Sequence, residues 1–186
     1  MKRIGMILAV LVGSVFLAGQ ALAGAVYFNA AGAESVETAV SGVNCAAVVN
    51  SSATGWDHTY VSRDCDQTTD EAFIWHLHWQ PDMPTTGTVI VSLTQISASG
   101  SGDSRYDVDI GCETSLGTTG LTYGAVSSAT NSLVATAYTG VHYLTVALPA
   151  DISANRYCAV RVRRDANHAG DTLAADVKTR GAYITY

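Results

Sequence analysis

Apolar and polar residues alternate along much of this chain, and a period of two predicts β-strands. In Phe73–Trp79 every second residue is large and apolar, and His76 and His78 lie on the opposite face. After the N-terminal segment, no stretch carries the i, i+3, i+4, i+7 spacing of an amphipathic helix over three turns. We predict strands at 43–49, 73–79, 88–96, 105–112, 141–148, 156–164 and 177–186.

Turn-forming residues separate these runs. Pro81–Pro84 and the Gly/Ser-rich stretch Ser97–Ser104 each interrupt the alternation, and Pro149–Asn155 predicts a longer turn. Thr139-Gly140 is predicted to be a tight hairpin turn. About eight short strands with this spacing predict an all-β fold, an antiparallel β-sandwich of the jelly-roll kind.

The N-terminus predicts export. Lys2 and Arg3 precede the apolar run Ile4–Ala18, and Ala21-Leu22-Ala23 supplies the small-x-small pattern of a signal-peptidase site. A retained membrane anchor is the competing interpretation, but a spanning helix needs about 20 apolar residues and this run is shorter. We therefore predict a signal peptide at 1–23, a single β-sandwich domain at 24–186, and a periplasmic, cell-surface or extracellular location.

Charge makes nucleic acid an unfavourable partner. The chain has 10 Lys and Arg against 16 Asp and Glu, a net charge of −6. Loss of Lys2 and Arg3 with the signal peptide makes the remaining domain more negative still. Such a surface repels phosphate backbones.

Four cysteines follow the signal segment, and an even number in an exported chain predicts two disulfides. Cys45 and Cys65 are close in sequence and are predicted to staple an N-terminal hairpin. Cys112 and Cys158 each fall on the apolar face of a predicted strand, so both point into the sandwich and are predicted to pair.

His76 and His78 form a candidate metal site. Side chains two apart in a strand point the same way, so both imidazoles can face one zinc or copper ion if a third ligand comes from a neighbouring strand. His142 and Asp107 are the candidate third ligands. We favour the competing interpretation, a polar outer face opposite a Trp-rich core, because two ligands do not complete a site.

Asp165, Asp171 and Asp176 lie in or next to a loop rich in oxygen donors, the ligands that calcium takes. Their spacing is not that of an EF-hand, and a solvated loop with Asx turns is the interpretation we favour. No cofactor is therefore predicted, with calcium kept as the alternative.

The tryptophans suggest sugar binding, in which a flat aromatic ring stacks on the face of a sugar. Trp75 and Trp79 share a face with other apolar residues, so core packing explains them better. Trp56, in the polar stretch 50–58, is the aromatic residue that we predict to be an exposed platform.

A short pattern imitates an esterase. Gly102-Asp103-Ser104 and Asp165-Ala-Asn-His168 resemble the two blocks of SGNH-type hydrolases, in which a serine is activated by an Asp–His pair. In that family the serine follows the first strand of an α/β domain, whereas Ser104 lies mid-chain among predicted strands. We predict no catalytic residues.

From about Asp70 to Tyr186 the chain resembles jelly-roll modules of tailed-phage virion proteins and related environmental secreted sequences. The resembling segments are Glu71–Trp79 and the ending Val160–Tyr186, with an R-D-A…D-T-L-A-x-D loop between two strands and a terminal Tyr. The resemblance implies a fibre, decoration or attachment element that is often oligomeric and has no catalytic residues. The secretion signal and the cysteines favour a bacterial surface or extracellular protein with the same fold.

These observations together predict a secreted, non-catalytic structural or binding module of a cell-surface or extracellular assembly. The predicted partners are other copies of the chain, a surface polysaccharide or a surface protein, with no membrane span after signal cleavage. A carbohydrate-binding module is the alternative function.

Export has a direct test. We expect the exported protein to begin at Gly24 or within a few residues of it, because the small-x-small pattern ends at Ala23. N-terminal sequencing of protein recovered outside the cytoplasm checks this. Recovery of Met1 on the exported protein would contradict it.

Overall fold

Eleven β-strands and one 3-10 turn, Ala30–Gly32, form the regular structure of this chain's computed structural model, which describes residues 24–34, 44–51, 59–97, 102–115, 120–133 and 139–186. The described residues contain no helix long and apolar enough to cross a membrane. The strands are β1 Ala25–Asn29, β2 Ala46–Ser51, β3 Thr59–Cys65, β4 Glu71–His78, β5 Thr88–Ser97, β6 Gly102–Glu113, β7 Leu121–Tyr123, β8 Ser127–Leu133, β9 Thr139–Ala147, β10 Tyr157–Arg164 and β11 Val177–Thr185.

The strands form two packed sheets. Sheet A has the order β2-β3-β11-β5-β9, with β1 also paired to β11, and sheet B has the order β4-β10-β6-β7, with β8 also paired to β6. The main antiparallel pairs are nested along the chain: β3 with β11, β4 with β10, β5 with β9, and β6 with β8. This nested wrapping is the jelly roll, so the predicted fold class is confirmed.

The core lies between the sheets and follows the predicted alternation. Val89, Val91 and Leu93 of β5 are all buried, as are Phe73 and Trp75 of β4. The Trp75 indole N–H donates to a backbone carbonyl of β1 at 2.8 Å, which satisfies its one polar group inside the core. Trp79 is also fully buried, so core packing is the confirmed role of both tryptophans.

Both predicted disulfides are present. Cys45–Cys65 joins the start of the β2–β3 hairpin to its end, across a sequence separation of 20 residues. Cys112 and Cys158 are register partners on β6 and β10, so this bridge lies within sheet B with both side chains directed inward. Each bridge restricts the unfolded chain, by about 3 kcal/mol for loops of this order in the chain-entropy model.

One sequence expectation about strands was wrong, and several strands were not predicted. Thr139 and Gly140 are not a hairpin turn but the first residues of β9, where they pair with Ile96 and Gln95. The strands β1, β3, β7 and β8 were not among the predicted strands; β7 is only three residues long, and the Ser-rich sequence of β8 has little apolar alternation. The strand conformation of β7 and β8 depends on pairing with β6.

A buried ion pair ties the last part of the chain to the sandwich. The side chains of Arg164 and Asp171 are 0% and 1% exposed, and the guanidinium donates to both carboxylate oxygens at 3.0 and 2.9 Å. The remaining guanidinium hydrogens go to the carbonyls of Cys65, Leu173 and Ala175 at 2.9–3.2 Å. We call this arrangement the Arg164 clamp. Buried charges are tolerated when they are paired and hydrogen-bonded in this way.

The clamp also reaches the neighbouring strand β6. Asp171 accepts the backbone N–H of Arg105 at 3.0 Å, and the backbone N–H groups of Thr172 and Leu173 donate to the Asp103 carbonyl at 2.8 and 3.0 Å. The segment between β10 and β11 is therefore fixed along its length to β6 and to the Cys45–Cys65 hairpin.

Breaking the clamp should be costly. We expect Arg164→Leu to lower the free energy of unfolding by about 3–5 kcal/mol, because it leaves the Asp171 carboxylate buried without its counter-ion. Urea denaturation with the disulfides intact measures the change.

The adjacent variant Arg163→Leu is the matched control. Arg163 pairs with Asp107 on the outer face of sheet B, and its side chain is 37% exposed. Asp107 keeps Ser128 and Arg105 as partners when Arg163 is lost, so we expect Arg163→Leu to cost less than Arg164→Leu. Equal destabilisation by the two variants would contradict a special role for the buried clamp.

Candidate functional site

The predicted histidine pair lies on the outer face of sheet B. His76 stacks on Tyr157 with ring centroids 5.2 Å apart, and His78 meets the same ring edge-on at 5.9 Å. The Nε2 atom of His76 is 3.5 Å from a Glu34 carboxylate oxygen. The ring of Tyr157 is thus a partner of both imidazoles.

The two candidate third ligands have other partners. Asp107 accepts hydrogen bonds from Arg163 and Ser128, and His142 lies in the core. The structure therefore brings neither of them to the histidine pair. The polar outer face stays the favoured interpretation of the pair, with metal binding as the alternative.

The carboxylates of the predicted calcium loop are directed to different partners. Asp165 pairs with Arg105 at 3.3 Å, Asp171 belongs to the Arg164 clamp, and Asp176 accepts a backbone N–H from the turn after β3 at 3.2 Å. Arginines thus neutralise two of the three charges that a calcium ion would use. Calcium binding stays the alternative to the loop without a metal that the sequence favours.

Within the described ranges, three potential ligand atoms converge only at Cys45, Cys65 and Glu71. The two sulfurs form a disulfide, so they offer no thiolate to a metal. This group therefore belongs to the structural bridge.

The serine of the esterase-like pattern is not beside the expected histidine. Ser104 lies 2.9 Å from Nε2 of His142, and both residues are 0% exposed. Nδ1 of His142 has no hydrogen-bond partner, so no carboxylate orients the ring. His168 instead accepts the backbone N–H of Gly170 at 2.9 Å on the surface. A nucleophile must reach its substrate, and a serine sealed in the core does not.

Trp56, the predicted sugar platform, lies outside the described residues. The described part of the chain carries a different group of exposed aromatics, which sequence reasoning missed. It lies on the outer face of sheet A.

Three tyrosines occupy one row across four strands of this face. Tyr27 of β1 pairs with Tyr183 of β11, Tyr183 pairs with Ser92 of β5, and Ser92 pairs with Tyr143 of β9. Directly opposed residues of neighbouring strands project to the same side of a sheet. The four side chains therefore line up at right angles to the strands.

The tyrosines of this row are open to solvent. Tyr143 is 70% exposed, Tyr27 57% and Tyr183 44%, and the rings of Tyr27 and Tyr183 are in contact with centroids 4.8 Å apart. Ile90 on the same face is 43% exposed. Several large apolar side chains with exposed fractions this high, close together on one face, are typical of a surface that binds a partner.

An open depression of about 410 Å³ adjoins the row. A β-bulge between Thr179 and Gly181 inserts Arg180, so Arg180 and Gly181 both border the depression. Gly181 is required here, because a Cβ atom would lie 2.5 Å from the Phe28 carbonyl oxygen of the adjacent β1. The other lining residues include Tyr27, Asn29, Thr94 and Tyr183.

Three neighbouring rows form this surface, which we call the tyrosine face. The first holds Ala25, Thr185, Ile90 and Thr145; the second holds Tyr27, Tyr183, Ser92 and Tyr143; the third holds Asn29, Gly181, Thr94 and Val141. None of these twelve residues is charged.

The outer face of sheet B has the opposite character. Arg161 donates to both carboxylate oxygens of Asp109 and lies 4.1 Å from the Tyr123 ring centroid, while Arg163 pairs with Asp107. Burial raises the pKa of the Asp109 carboxyl, and the hydrogen bond from Arg161 opposes the rise. The depression on this side is smaller, about 100 Å³, and its charged groups already have partners.

No family model and no curated protein matches this sequence. Among solved structures, that of TmCBM61 in complex with beta-1,4-galactotriose, a carbohydrate-binding module, is similar over 89% of this chain and 88% of its own, with 8% identity and a TM-score of 0.37. Similarity at that level carries no argument about fold or ligand. The fold assignment depends on the strand pairing, and the resemblance to phage virion modules remains a prediction.

The buried imidazole predicts a specific pH dependence. Burial lowers the pKa of His142 from 6.5 to about 4, and the Asp171 carboxylate partly opposes this. The folded state thus favours the neutral ring. The contribution of the neutral His142 ring to the free energy of unfolding is complete above pH 6.5. It is lost as the pH falls from 6.5 through 4, by about 3 kcal/mol in total, because the unfolded chain then binds a proton that the folded chain does not.

We expect His142→Leu to lack this part of the loss of stability in acid. Any advantage of the parent in free energy of unfolding should therefore shrink or reverse below pH 6. Denaturant unfolding at a series of pH values measures it. His78→Gln, which removes an exposed imidazole, is the control for the loss of a histidine outside the core. Parallel pH profiles for the parent and His142→Leu would contradict the assignment.

Proposed function

We propose that this chain is an exported, non-catalytic binding module of a cell-surface or extracellular assembly, and that the tyrosine face is its binding surface. The observation that carries the proposal is the single row of Tyr27, Tyr183 and Tyr143, exposed across four strands. A rigid sheet presents these rings in a fixed arrangement, so little conformational entropy is lost when a ligand binds.

Tyrosine suits a surface of this kind. Its ring offers apolar contact area, its hydroxyl keeps the side chain compatible with water, and only two torsions need to be fixed on binding. The neighbouring hydroxyl groups of Ser92, Thr94 and Thr145 supply donors and acceptors beside the rings. A few aromatic side chains surrounded by polar groups are typical of binding sites.

The remaining observations support the same class of function. The two disulfides favour an oxidising compartment, in agreement with the signal peptide expected at 1–23. The burial of Ser104 and His142 supports the non-catalytic part of the proposal. A role in attachment also agrees with the resemblance to phage virion modules.

The function test uses the exported protein and the envelope and matrix fractions of the cells that produce it. We expect the parent to co-sediment with one of these fractions, and the triple variant Tyr27→Ser, Tyr183→Ser, Tyr143→Ser to lose at least about tenfold in affinity, because it removes all three exposed rings. Tyr157→Ser is the matched control, since this tyrosine lies on sheet B.

Unchanged denaturation curves for the variants show that the fold is retained. Sedimentation velocity of the protein alone separates ligand binding from self-association, the second partner class that the uncharged face can serve. Equal retention of the parent and the triple variant would refute the tyrosine face as the binding surface.

A further inference from the structure

We infer that the ligand of the tyrosine face is an uncharged polysaccharide that lies across the strands, along the row from Tyr27 to Tyr143. This inference rests on the proposed function, and it adds the chemical class of the ligand and its direction on the sheet. Three properties of the face lead to it: its lack of charge, the arrangement of its rings and the polar groups between them.

Charge excludes one class of polymer. The twelve residues of the three rows include no Asp, Glu, Lys or Arg, so the rows themselves offer no counter-ion to a charged chain. The whole chain carries a net charge of −6, which repels polyanions such as uronate polymers. Arg180 borders the depression beside the row but is outside these twelve positions. An uncharged polymer needs no counter-ion, so the lack of charge on these rows does not weaken its binding.

The positions of the three tyrosine rings indicate the direction in which the polysaccharide lies on the sheet. Neighbouring strands lie about 4.8 Å apart, so Tyr27 and Tyr143, three strands apart, are separated by about 14 Å across the sheet. Along each strand the next residues on the same face are small or aliphatic, for example Gly181 and Thr185 beside Tyr183. A ligand that follows a strand therefore meets one ring, whereas a ligand that crosses the strands meets three.

The chemistry of the row matches sugar rings. A pyranose has apolar C–H faces that pack on an aromatic ring and hydroxyl groups around its edge. Ser92 is only 9% exposed, so its hydroxyl lies at the base of the space between the projecting rings of Tyr183 and Tyr143. Thr145 adds a second hydroxyl beside Tyr143. The depression next to Tyr183 leaves space for a group projecting from a sugar stacked there. The C–H faces of a sugar are thus met by the three rings, and its hydroxyl groups by the hydroxyls of Ser92 and Thr145.

The experiment compares defined polymers by affinity electrophoresis and calorimetry with the exported protein. The probes are uncharged polymers (a β-glucan, a mannan and a galactan), two polyanions (polygalacturonate and alginate) and one polycation (chitosan). We expect binding to at least one uncharged polymer, with an affinity that changes less than twofold between low and high salt, because no ionic contact contributes.

An oligosaccharide series of the bound polymer tests the direction. Affinity should rise with length until the ligand spans about 14 Å and then level off. Tyr143→Ser should weaken the longest oligosaccharide about tenfold and leave the shortest, bound at the Tyr27–Tyr183 pair, nearly unchanged. Tyr157→Ser on sheet B should leave every affinity at the parental value.

The outcomes separate this inference from the proposed function. Binding only to charged polymers, or to the envelope fractions but to none of the uncharged polymers, would overturn the ligand class while the tyrosine face remained a binding surface. Equal losses for short and long oligosaccharides in Tyr143→Ser would overturn the direction. If the triple tyrosine variant bound every ligand like the parent, the proposed function itself would fail.

Discussion

The Arg164 clamp holds together parts of the chain that are distant in sequence. Its guanidinium, buried between the sheets, bonds the Asp171 carboxylate and three backbone carbonyls, one of them from Cys65 at the end of β3. Taking both ions out of water costs free energy, and only this complete set of partners offsets it. The clamp fixes the segment that leads into β11. The register of β11 with β1 and β5 then places Tyr183 on the tyrosine face.

In both sheets apolar inward residues alternate with outward residues, but the outward residues of the two sheets differ in character. On sheet B the outward residues of β6 and β10 are aspartates and arginines in register, so Asp109 meets Arg161 and Asp107 meets Arg163. These charges neutralise one another and leave little for a ligand to bind. On sheet A the twelve residues of the three rows of the tyrosine face are uncharged, while Lys178 of β11 pairs with Asp64 and Arg180 lies beside the rows. The tyrosines are not covered by other parts of the described chain, so these uncharged rows are the surface that suits a ligand.

Sequence reasoning worked best where the pattern is local and failed where partners are remote. The phase of β5 and β10 is visible in their alternating residues, and the inward phase of Cys112 and Cys158 correctly predicted their bridge. The acidic loop left calcium open as an alternative because its arginine partners are remote in sequence; Arg105 lies 60 residues before Asp165. The tyrosine face was missed for the same reason, since its residues come from four separate strands, whereas the polar context of Trp56 is local; Trp56 lies outside the described residues.

The sequence by itself determined most of the strands, the faces that turn inward and the disulfides, because a period of two depends only on neighbouring residues and burial of apolar groups dominates folding. It did not determine which strands adjoin, since strand order and register are set by contacts between distant segments. Tyr27, Tyr143 and Tyr183 are unremarkable outward residues of three separate strands. Only the nested pairing of the jelly roll, which brings β1, β11, β5 and β9 side by side in register, makes them one surface.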